Sequence, residues 1–496
     1  MKRFQLLTFS LLLLSNCLLA QADKSIIQNL AKANTILQKG IDRQGGKESL
    51  RQSVKFRLEG TKYFFGHYDT PEKTKPVGDT TRIAFFPKMG TSYLYSAINY
   101  YGKRDRILLN HQDSTYEFGY FSDGISKSTA KASIDLAFLL PSQLLLLAES
   151  NKKNLRFTAK DKQNNTITFN DDFGLQYNLV LDKQSNLLRK VLLLTYDEHY
   201  GDTFDEYNYE YLNSSDVIPT KVSKKEHGLL ESEYKYVDVV KDVTPDSSFV
   251  KSLCKTCKIE LKNTNSNISI EKADNNIWIA KFNDLDNKSL IAEFKDYVIV
   301  FEAPANTVIA TELITKIKQQ FPNKPIKLLA LSHHHPDHAG GFVAFTNQNI
   351  PVMTTKGNVP FFEKMQKTKH TIVPENSPTT TKVTFNLVGA KSYQVSGDDT
   401  NQFIAYESGE TTDHVQEFLY FYFPKQKILF VGDLVIFSKD ELRPQRKRAY
   451  SVYQLIKDKK LNVEKIYTAW PLKEQKDFGT MQDLKAVLKK NYPDIE

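Results

Sequence analysis

Four histidines and one aspartate are concentrated in the short segment LALSHHHPDHAGG. The chain contains only 10 histidines, so this stretch holds a large share of them. Because an extended chain alternates its side chains, we expect His333 and His335 to point to one side, followed on that side by Asp337. His334 is expected to point the other way. His338 is expected to begin the next element of structure.

These side chains are typical metal ligands. Neutral imidazoles and a carboxylate, with no thiolate nearby, suit Zn²⁺ best, and Fe or Mn would be the next choices. A bound metal lowers the pKa of its water to roughly 7, which creates a nucleophile at neutral pH. The alternative is a histidine-rich loop without a metal. The spacing H-x-H-x-D-H, the preceding apolar strand and the small pair Gly340 and Gly341 favour the metal site.

The segment resembles the metallo-β-lactamase fold superfamily, whose hallmark is H-x-H-x-D-H after a short apolar strand. The resemblance covers about residues 261–496. It includes Glu302 in VIVFEAP, where the family usually has an acidic residue at the end of a strand. The fold that it implies is α/β, a four-layer αββα sandwich of two sheets with helices outside.

The resemblance also implies a set of metal ligands. The ligands implied for a first ion are His333, His335 and His414. The ligands implied for a second ion are Asp337 and His338, and Asp433 in VGDL would bridge the two ions.

The second metal site departs from the family pattern. Family members normally complete it with one more histidine after a late strand, and the alignment puts Trp470 at that place. No histidine follows His414 in the chain. His334 points away, and His370 is expected on a loop, so neither is a good replacement. We therefore expect one zinc ion to be held firmly and a second to be held weakly or not at all.

The function implied is that of a secreted, zinc-dependent hydrolase. A metal-bound hydroxide would attack an ester, lactone, amide or phosphodiester, and Asp337 would orient that hydroxide and take or pass its proton. The alternative is a catalytically degenerate, metal-containing binding or sensing protein, since Trp470 replaces a ligand. Redox or lyase chemistry is a third hypothesis, and the presence of iron at the site would favour it.

The first half of the chain has a different pattern. A helix is predicted near residues 24–41, and then short alternating segments predict antiparallel strands with a helix or two against one sheet. We predict a mainly antiparallel β (α+β) domain over residues 23–260 and the sandwich over residues 261–496. The polar segment KNTNSN is the expected linker.

The N-terminus resembles a secretory signal peptide over residues 1–22, because Lys2 and Arg3 precede an apolar run and a small-x-small site follows. A retained membrane anchor, or a lipoprotein attached through Cys17, are the alternatives. We thus expect a secreted or periplasmic protein without a transmembrane helix in its mature form. Cys254 and Cys257 could form a disulfide or remain free thiols.

The net charge of +9 is mostly dispersed along the chain. A short basic cluster, RPQRKR at residues 443–448, is the exception. This pattern predicts solvated charge, so we expect a small-molecule substrate and no nucleic-acid partner. The sequence leaves the oligomeric state open.

Overall fold

In the computed structural model of the protein, the chain divides into two compact units. The first unit comprises Met1–Tyr63, Pro76–Thr195 and Thr203–Lys262, and the second comprises Phe64–Lys75, Tyr196–Asp202 and Asn263–Glu496. The structure describes residues 25–64, 70–71, 75–86, 92–99, 103–111, 114–119, 122–128, 138–171, 174–197, 200–213, 217–242, 267–380 and 382–495. The predicted signal peptide, Cys254 and Cys257 lie outside these residues.

The first unit is built on one 13-stranded sheet with the order β6-β5-β4-β3-β2-β1-β13-β12-β11-β10-β9-β8-β7. Its strands are β1 Val54–Phe64, β2 Lys75–Phe86, β3 Ser92–Asn99, β4 Lys103–His111, β5 Ser114–Gly119, β6 Ser122–Ser128, β7 Arg156–Lys160, β8 Asn164–Asn170, β9 Gln176–Asp182, β10 Leu188–Asp197, β11 Gly201–Glu210, β12 Lys221–Glu226 and β13 Leu229–Lys241. The described pairs, such as β1 with β13 and β8 with β9, are antiparallel.

Three helices of the first unit are α1 at residues 25–43, α2 at Gly46–Leu50 and α3 at Pro141–Ser150. Apolar residues of α1 at helical spacing, Ala33, Leu37 and Ile41, join one core with sheet residues such as Phe56 and Leu179. The antiparallel sheet with helices against it, expected from the alternating pattern, is confirmed.

The second unit contains two further sheets. The seven-stranded sheet consists of β14 Ile268–Asp274, β15 Ile277–Phe282, β16 Asn287–Glu293, β17 Val298–Phe301, β18 Ile326–Ala330, β19 Val352–Thr355 and β20 Phe385–Val388, in that order. The five-stranded sheet consists of β21 Tyr393–Gly397, β22 Gln402–Glu407, β23 Leu419–Phe423, β24 Ile428–Phe430 and β25 Lys465–Tyr467. Strands β17 to β20 pair in parallel, as do β24 and β25.

Six helices of the second unit follow in chain order: α4 Thr307–Gln320, α5 Pro336–Ala339, α6 Phe342–Thr346, α7 Val359–Met365, α8 Lys447–Asp458 and α9 Met481–Leu488. The apolar residues Ile309, Leu313, Ile314 and Ile317 recur at helical spacing, which predicts an amphipathic helix over residues 307–321, and α4 occupies that segment. It begins after Asn306, whose side chain accepts a hydrogen bond from the Ile309 N–H group at 3.0 Å.

The two sheets share a buried core that follows the two-residue period of their strands. On β23, Leu419, Phe421 and Phe423 enter the core between the sheets, whereas Tyr420 and Tyr422 face the helices α8 and α9. The seven-stranded sheet packs its other face on α4, α6 and α7. The resulting order of helices, sheet, sheet and helices confirms the expected four-layer α/β sandwich.

The described helices include none that is long and apolar enough to cross a membrane.

Candidate metal centre

The histidine cluster begins where a buried parallel strand ends. Strand β18 ends at Ala330, and the chain then continues through Ser332 to His333, all of them buried. Side chains at the carboxyl end of such strands meet at one edge of the sheet, where α/β proteins bind ligands. Ser332 Oγ lies 2.9 Å from His333 Nδ1. If this nitrogen carries the hydrogen and Ser332 accepts it, His333 Nε2 keeps its lone pair for a metal.

Three imidazoles from two distant segments converge at this edge. Ligand atoms of His333, His335 and His414 lie within 4.8 Å of one another. His414 Nε2 is 3.1 Å from His333 Nε2. His414 follows a short turn that precedes β23, and its N–H group donates to Thr412 Oγ1 at 3.2 Å. The pairing of β22 with β23 and of Leu419 N–H with Ser332 O brings this turn to the end of β18.

A second group shares one histidine with the first. His333, His338 and Asp433 also have ligand atoms within 4.8 Å of one another. Asp433 follows β24 closely, and its Oδ2 atom lies 3.1 Å from His414 Nε2. Its Oδ1 atom lies 3.9 Å from His338 Nε2. Asp433 therefore contacts histidines of both groups, as a bridging ligand would.

Asp337 lies beside the second group but is not one of its three members. It occupies the first turn of α5, where its Oδ2 atom is 3.5 Å from His338 Nε2. The side-chain amide of Asn287 donates to the backbone oxygen of Asp337 at 2.8 Å. Asp337 is also more accessible than the histidines, with 31% of its side chain exposed.

Glu302 is a buried carboxylate that contacts His338 and Ser332 beside the centre. It is fully buried after β17, and its backbone has a positive φ of 70°. Its Oε1 atom lies 3.4 Å from His338 Nδ1, and its Oε2 atom accepts a hydrogen bond from the Ser332 N–H group at 3.3 Å. A buried carboxylate on the far nitrogen of a histidine fixes the ring orientation and its tautomer.

The charges of these groups respond to burial and to each other. Burial lowers the pKa of His333 well below 6.5, and the neighbouring His338 and His335 lower it further. Burial also lowers the pKa of His414, although Asp433 partly offsets this. Burial lowers the pKa of His338 too, but the carboxylates of Asp337 and Glu302 outweigh it and raise that pKa well above 6.5.

For Asp433, neighbouring positive groups outweigh burial and lower the pKa. Burial raises its pKa, but His414 and then His338 and Arg448 lower it well below 3.8, so the group is a carboxylate at neutral pH.

Among the described residues of the second unit, His334 and His370 do not join these groups. His334 is buried, and its ring is 5.8 Å from that of Phe361 in an edge-on arrangement. His370 has both ring nitrogens close to hydroxyl groups, with Tyr196 Oη at 3.1 Å and Thr368 Oγ1 at 2.8 Å. These contacts account for His370 as part of a buried polar network.

One protein family has a sequence model that matches the part of the chain containing the histidine motif. Residues 301–367 match the family model of the metallo-beta-lactamase superfamily. This segment of the second unit is similar to that superfamily, and the unit has the four-layer α/β fold that the resemblance implies. No curated protein sequence matches the chain.

Solved structures with a metallo-β-lactamase fold are similar to part of the chain. A metallo-beta-lactamase from Pontibacter korlensis is 18% identical, with a TM-score of 0.34, and the match covers 45% of this chain and 98% of that one. A metallo-beta-lactamase from Pseudomonas aeruginosa in its mono-zinc form is 15% identical, with a TM-score of 0.34 and coverages of 46% and 98%. These likenesses transfer neither substrate nor metal to this chain.

The donor set of the second unit fits a metal cation. Within the described part of the chain, both ring nitrogens of His338, Glu302 Oε1 and Asp433 Oδ1 are buried and make no hydrogen bond of good geometry, since the carboxylate contacts of His338 are 3.4 and 3.5 Å long. Buried polar atoms are normally satisfied, and a cation between His338 and Asp433 would satisfy two of these four. The chemistry is nitrogen and oxygen only, which suits zinc.

The sequence pattern did not reveal two contacts to the centre. Ser332, which orients His333, directly precedes the motif, but a serine before a histidine carries no specific signal. Arg448 lies in the basic cluster RPQRKR, and its Nη1 atom is 3.5 Å from Asp433 Oδ2. The cluster is visible in the sequence, but only the fold shows which of its residues reaches the site.

Proposed function

We propose that the protein is a secreted, zinc-dependent hydrolase that acts on an ester, lactone, amide or phosphodiester. The observation that carries the proposal is the convergence of His333, His335 and His414 within 4.8 Å. Three neutral imidazoles with an open fourth position form a competent hydrolytic zinc site. Zinc at that position would lower the pKa of a water molecule towards roughly 7 and polarise the carbonyl or phosphoryl oxygen of the substrate.

The protein side chains have separate tasks in this proposal. Asp337, which reaches solvent, accepts the proton that the attacking water loses and returns it to the leaving group. His338 is the neighbour that shares this proton, since its Nε2 atom lies 3.5 Å from Asp337 Oδ2. Asn287 holds the backbone of Asp337 through the 2.8 Å hydrogen bond from its side-chain amide.

We further propose that one zinc ion is bound firmly and a second weakly or not at all. The second position would have Asp337, His338 and Asp433 as its ligands. A fourth ligand is missing because Trp470 stands where the family has a histidine. The Ala469 N–H group donates to Gly432 O at 2.7 Å. This hydrogen bond joins the residue before Trp470 to the residue before Asp433.

The test combines metal analysis with a substrate panel. The wild type, His335→Ala and His370→Ala are purified without added metal and assayed on nitrophenyl esters, lactones, β-lactams and bis-nitrophenyl phosphate. We expect about one zinc ion per chain and hydrolysis in the wild type and in His370→Ala, and loss of both in His335→Ala. A zinc-containing protein that is inactive on the whole panel would instead favour the binding or sensing function.

A further inference from the structure

The basic cluster at residues 443–448 has no role in the function proposed so far. Its members Arg443, Arg446 and Lys447 are exposed, as expected for solvated charge. Arg448 differs from them because it is half-buried in the first turn of α8. Its guanidinium Nη1 atom lies 3.5 Å from Asp433 Oδ2. One cation of the cluster therefore extends into the candidate metal centre.

Arg448 is a permanently charged cation that contacts this centre. The guanidinium group stays protonated at all accessible pH values, whereas the histidines beside it bind or release protons. Arg448 and His414 both contact Asp433 Oδ2, and the His414 Nε2 atom lies 3.1 Å from that oxygen. A guanidinium group has five N–H donors, and the single long contact to Asp433 leaves others for a further acceptor.

The exposure of the side chains indicates the side from which a substrate arrives. The side chains of His333 and His338 have 0% of their surface exposed, and that of Asp433 has 7%. Asp337 has 31% exposed, and Arg448 has 39%. Solvent therefore reaches the centre beside these two residues. Of these two residues, Arg448 is the one whose side chain is a cation and can attract an anion.

We propose that Arg448 is a specificity-determining residue that binds an anionic oxygen of the substrate, so that the preferred substrates carry a carboxylate or a phosphoryl oxyanion beside the bond to be cleaved. The planar fork of the guanidinium group matches both of these groups and can bind either through two parallel hydrogen bonds. This proposal rests on the proposed hydrolytic function and narrows its substrate class.

The test measures binding, so it needs no knowledge of the natural substrate. Zinc-loaded wild type, Arg448→Gln and Arg446→Gln are titrated with phenylacetate, phenylphosphonate and neutral phenylacetamide in a calorimeter. Arg446→Gln is the matched control, because it removes the same charge from the same cluster at an exposed position. Arg448→Lys keeps the positive charge but lacks the planar guanidinium group that can form two parallel hydrogen bonds.

We expect Arg448→Gln to weaken the binding of an anionic probe by roughly 10- to 100-fold, as the loss of a charge-assisted hydrogen bond does. Arg446→Gln should bind like the wild type, and Arg448→Lys should recover part of the loss. Binding of phenylacetamide should not change in any variant. The more strongly affected anion, phenylacetate or phenylphosphonate, identifies the carboxylate or the phosphoryl class.

Three results would overturn the proposal: equal anion affinity in wild type and Arg448→Gln, equal losses in Arg448→Gln and Arg446→Gln, or no anion binding by the wild type. The zinc content of every variant is measured in parallel. Absence of zinc in the wild type refutes the proposed metal centre, whereas normal zinc with unchanged anion binding refutes only the role of Arg448.

Discussion

His414 Nε2 lies 3.1 Å from His333 Nε2, although the two residues are 81 positions apart in the chain. Two neutral imidazoles can approach in this way as donor and acceptor, or with both lone pairs directed at a shared cation. The burial of both rings and the contact of His414 with the carboxylate of Asp433 favour the cation. The contact joins the strand-end motif to the later hairpin, as a metal ion shared by the two imidazoles would.

Replacing His414 by Ala should abolish tight zinc binding. The change removes one of three imidazoles from the first group, and we expect a loss greater than the roughly 10- to 100-fold that removal of an outer-shell partner causes. His370→Ala is the matched control, because His370 is also buried but its ring nitrogens face Tyr196 and Thr368. Zinc per chain is measured by elemental analysis after dialysis. Equal zinc in both variants would contradict the assignment of His414.

Lowering the pH should release a second zinc ion before the first. Burial lowers the pKa of His333 and of His414, so protons compete less with a metal at these two imidazoles as the pH falls. The carboxylates of Asp337 and Glu302 outweigh burial and raise the pKa of His338 above 6.5, so a proton competes with metal there as the pH falls.

Zinc titrations at about pH 6 and pH 8 check this order. The affinity of the first ion should change little between them, and that of any second ion should be higher at the upper pH. A first ion that dissociates as readily as the second at the lower pH would show that the two histidine environments are not distinct.

Glu302→Gln should weaken metal binding at the second group selectively. Glu302 Oε1 lies 3.4 Å from His338 Nδ1, and the neutral amide lowers the basicity of that imidazole. We expect a roughly 10- to 100-fold lower affinity for the second ion at pH 8 by calorimetry, with the first ion nearly unaffected. Glu363→Gln, at an exposed position on α7, is the control. Similar behaviour of the two variants would mean that Glu302 does not act through His338.

Gly341→Ala should destabilise the second unit by about 1–3 kcal/mol, the usual cost of overpacking. A Cβ atom at Gly341 would overlap the Cβ of Ala310 on α4 and lie 3.1 Å from Ala303 O. Gly389→Ala is the control, because the atom nearest to a new Cβ there is the side-chain oxygen of Ser392 at 3.1 Å, which can rotate away. Urea unfolding measures both. Equal stability of the two variants would show that α4 and the motif are not packed this tightly.

Much of the fold and of the site follows from local sequence patterns. The continuous apolar run in LYFYF is typical of a strand buried on two faces, and the apolar spacing of residues 307–321 predicts α4. The H-x-H-x-D-H spacing predicts which histidines face together, because side-chain direction along an extended chain is a local property.

Contacts between distant segments were harder to predict. Arg448 reaches Asp433 only because α8 packs on the five-stranded sheet, and nothing in RPQRKR distinguishes it from Arg446. The position of His370 depends likewise on Tyr196, which lies 174 residues earlier in the chain. Such contacts are set by tertiary packing, which periodicity does not encode.

Trp470→His should complete the second metal position. Strands β24 and β25 are parallel neighbours, and the 2.7 Å hydrogen bond from Ala469 N–H to Gly432 O continues their pairing to the residues just before Trp470 and Asp433. A histidine there would add a fourth ligand to Asp337, His338 and Asp433.

We expect the zinc content of Trp470→His to rise from about one ion per chain to about two under the same dialysis. Trp470→Phe is the control, since it keeps an aromatic ring but adds no ligand atom, and it should keep one ion. If both variants bind the same amount of zinc, the side chain at position 470 does not face the second group, and its weak metal binding must have another cause. If the wild type already holds two ions tightly, the second position is complete without a histidine as its fourth ligand.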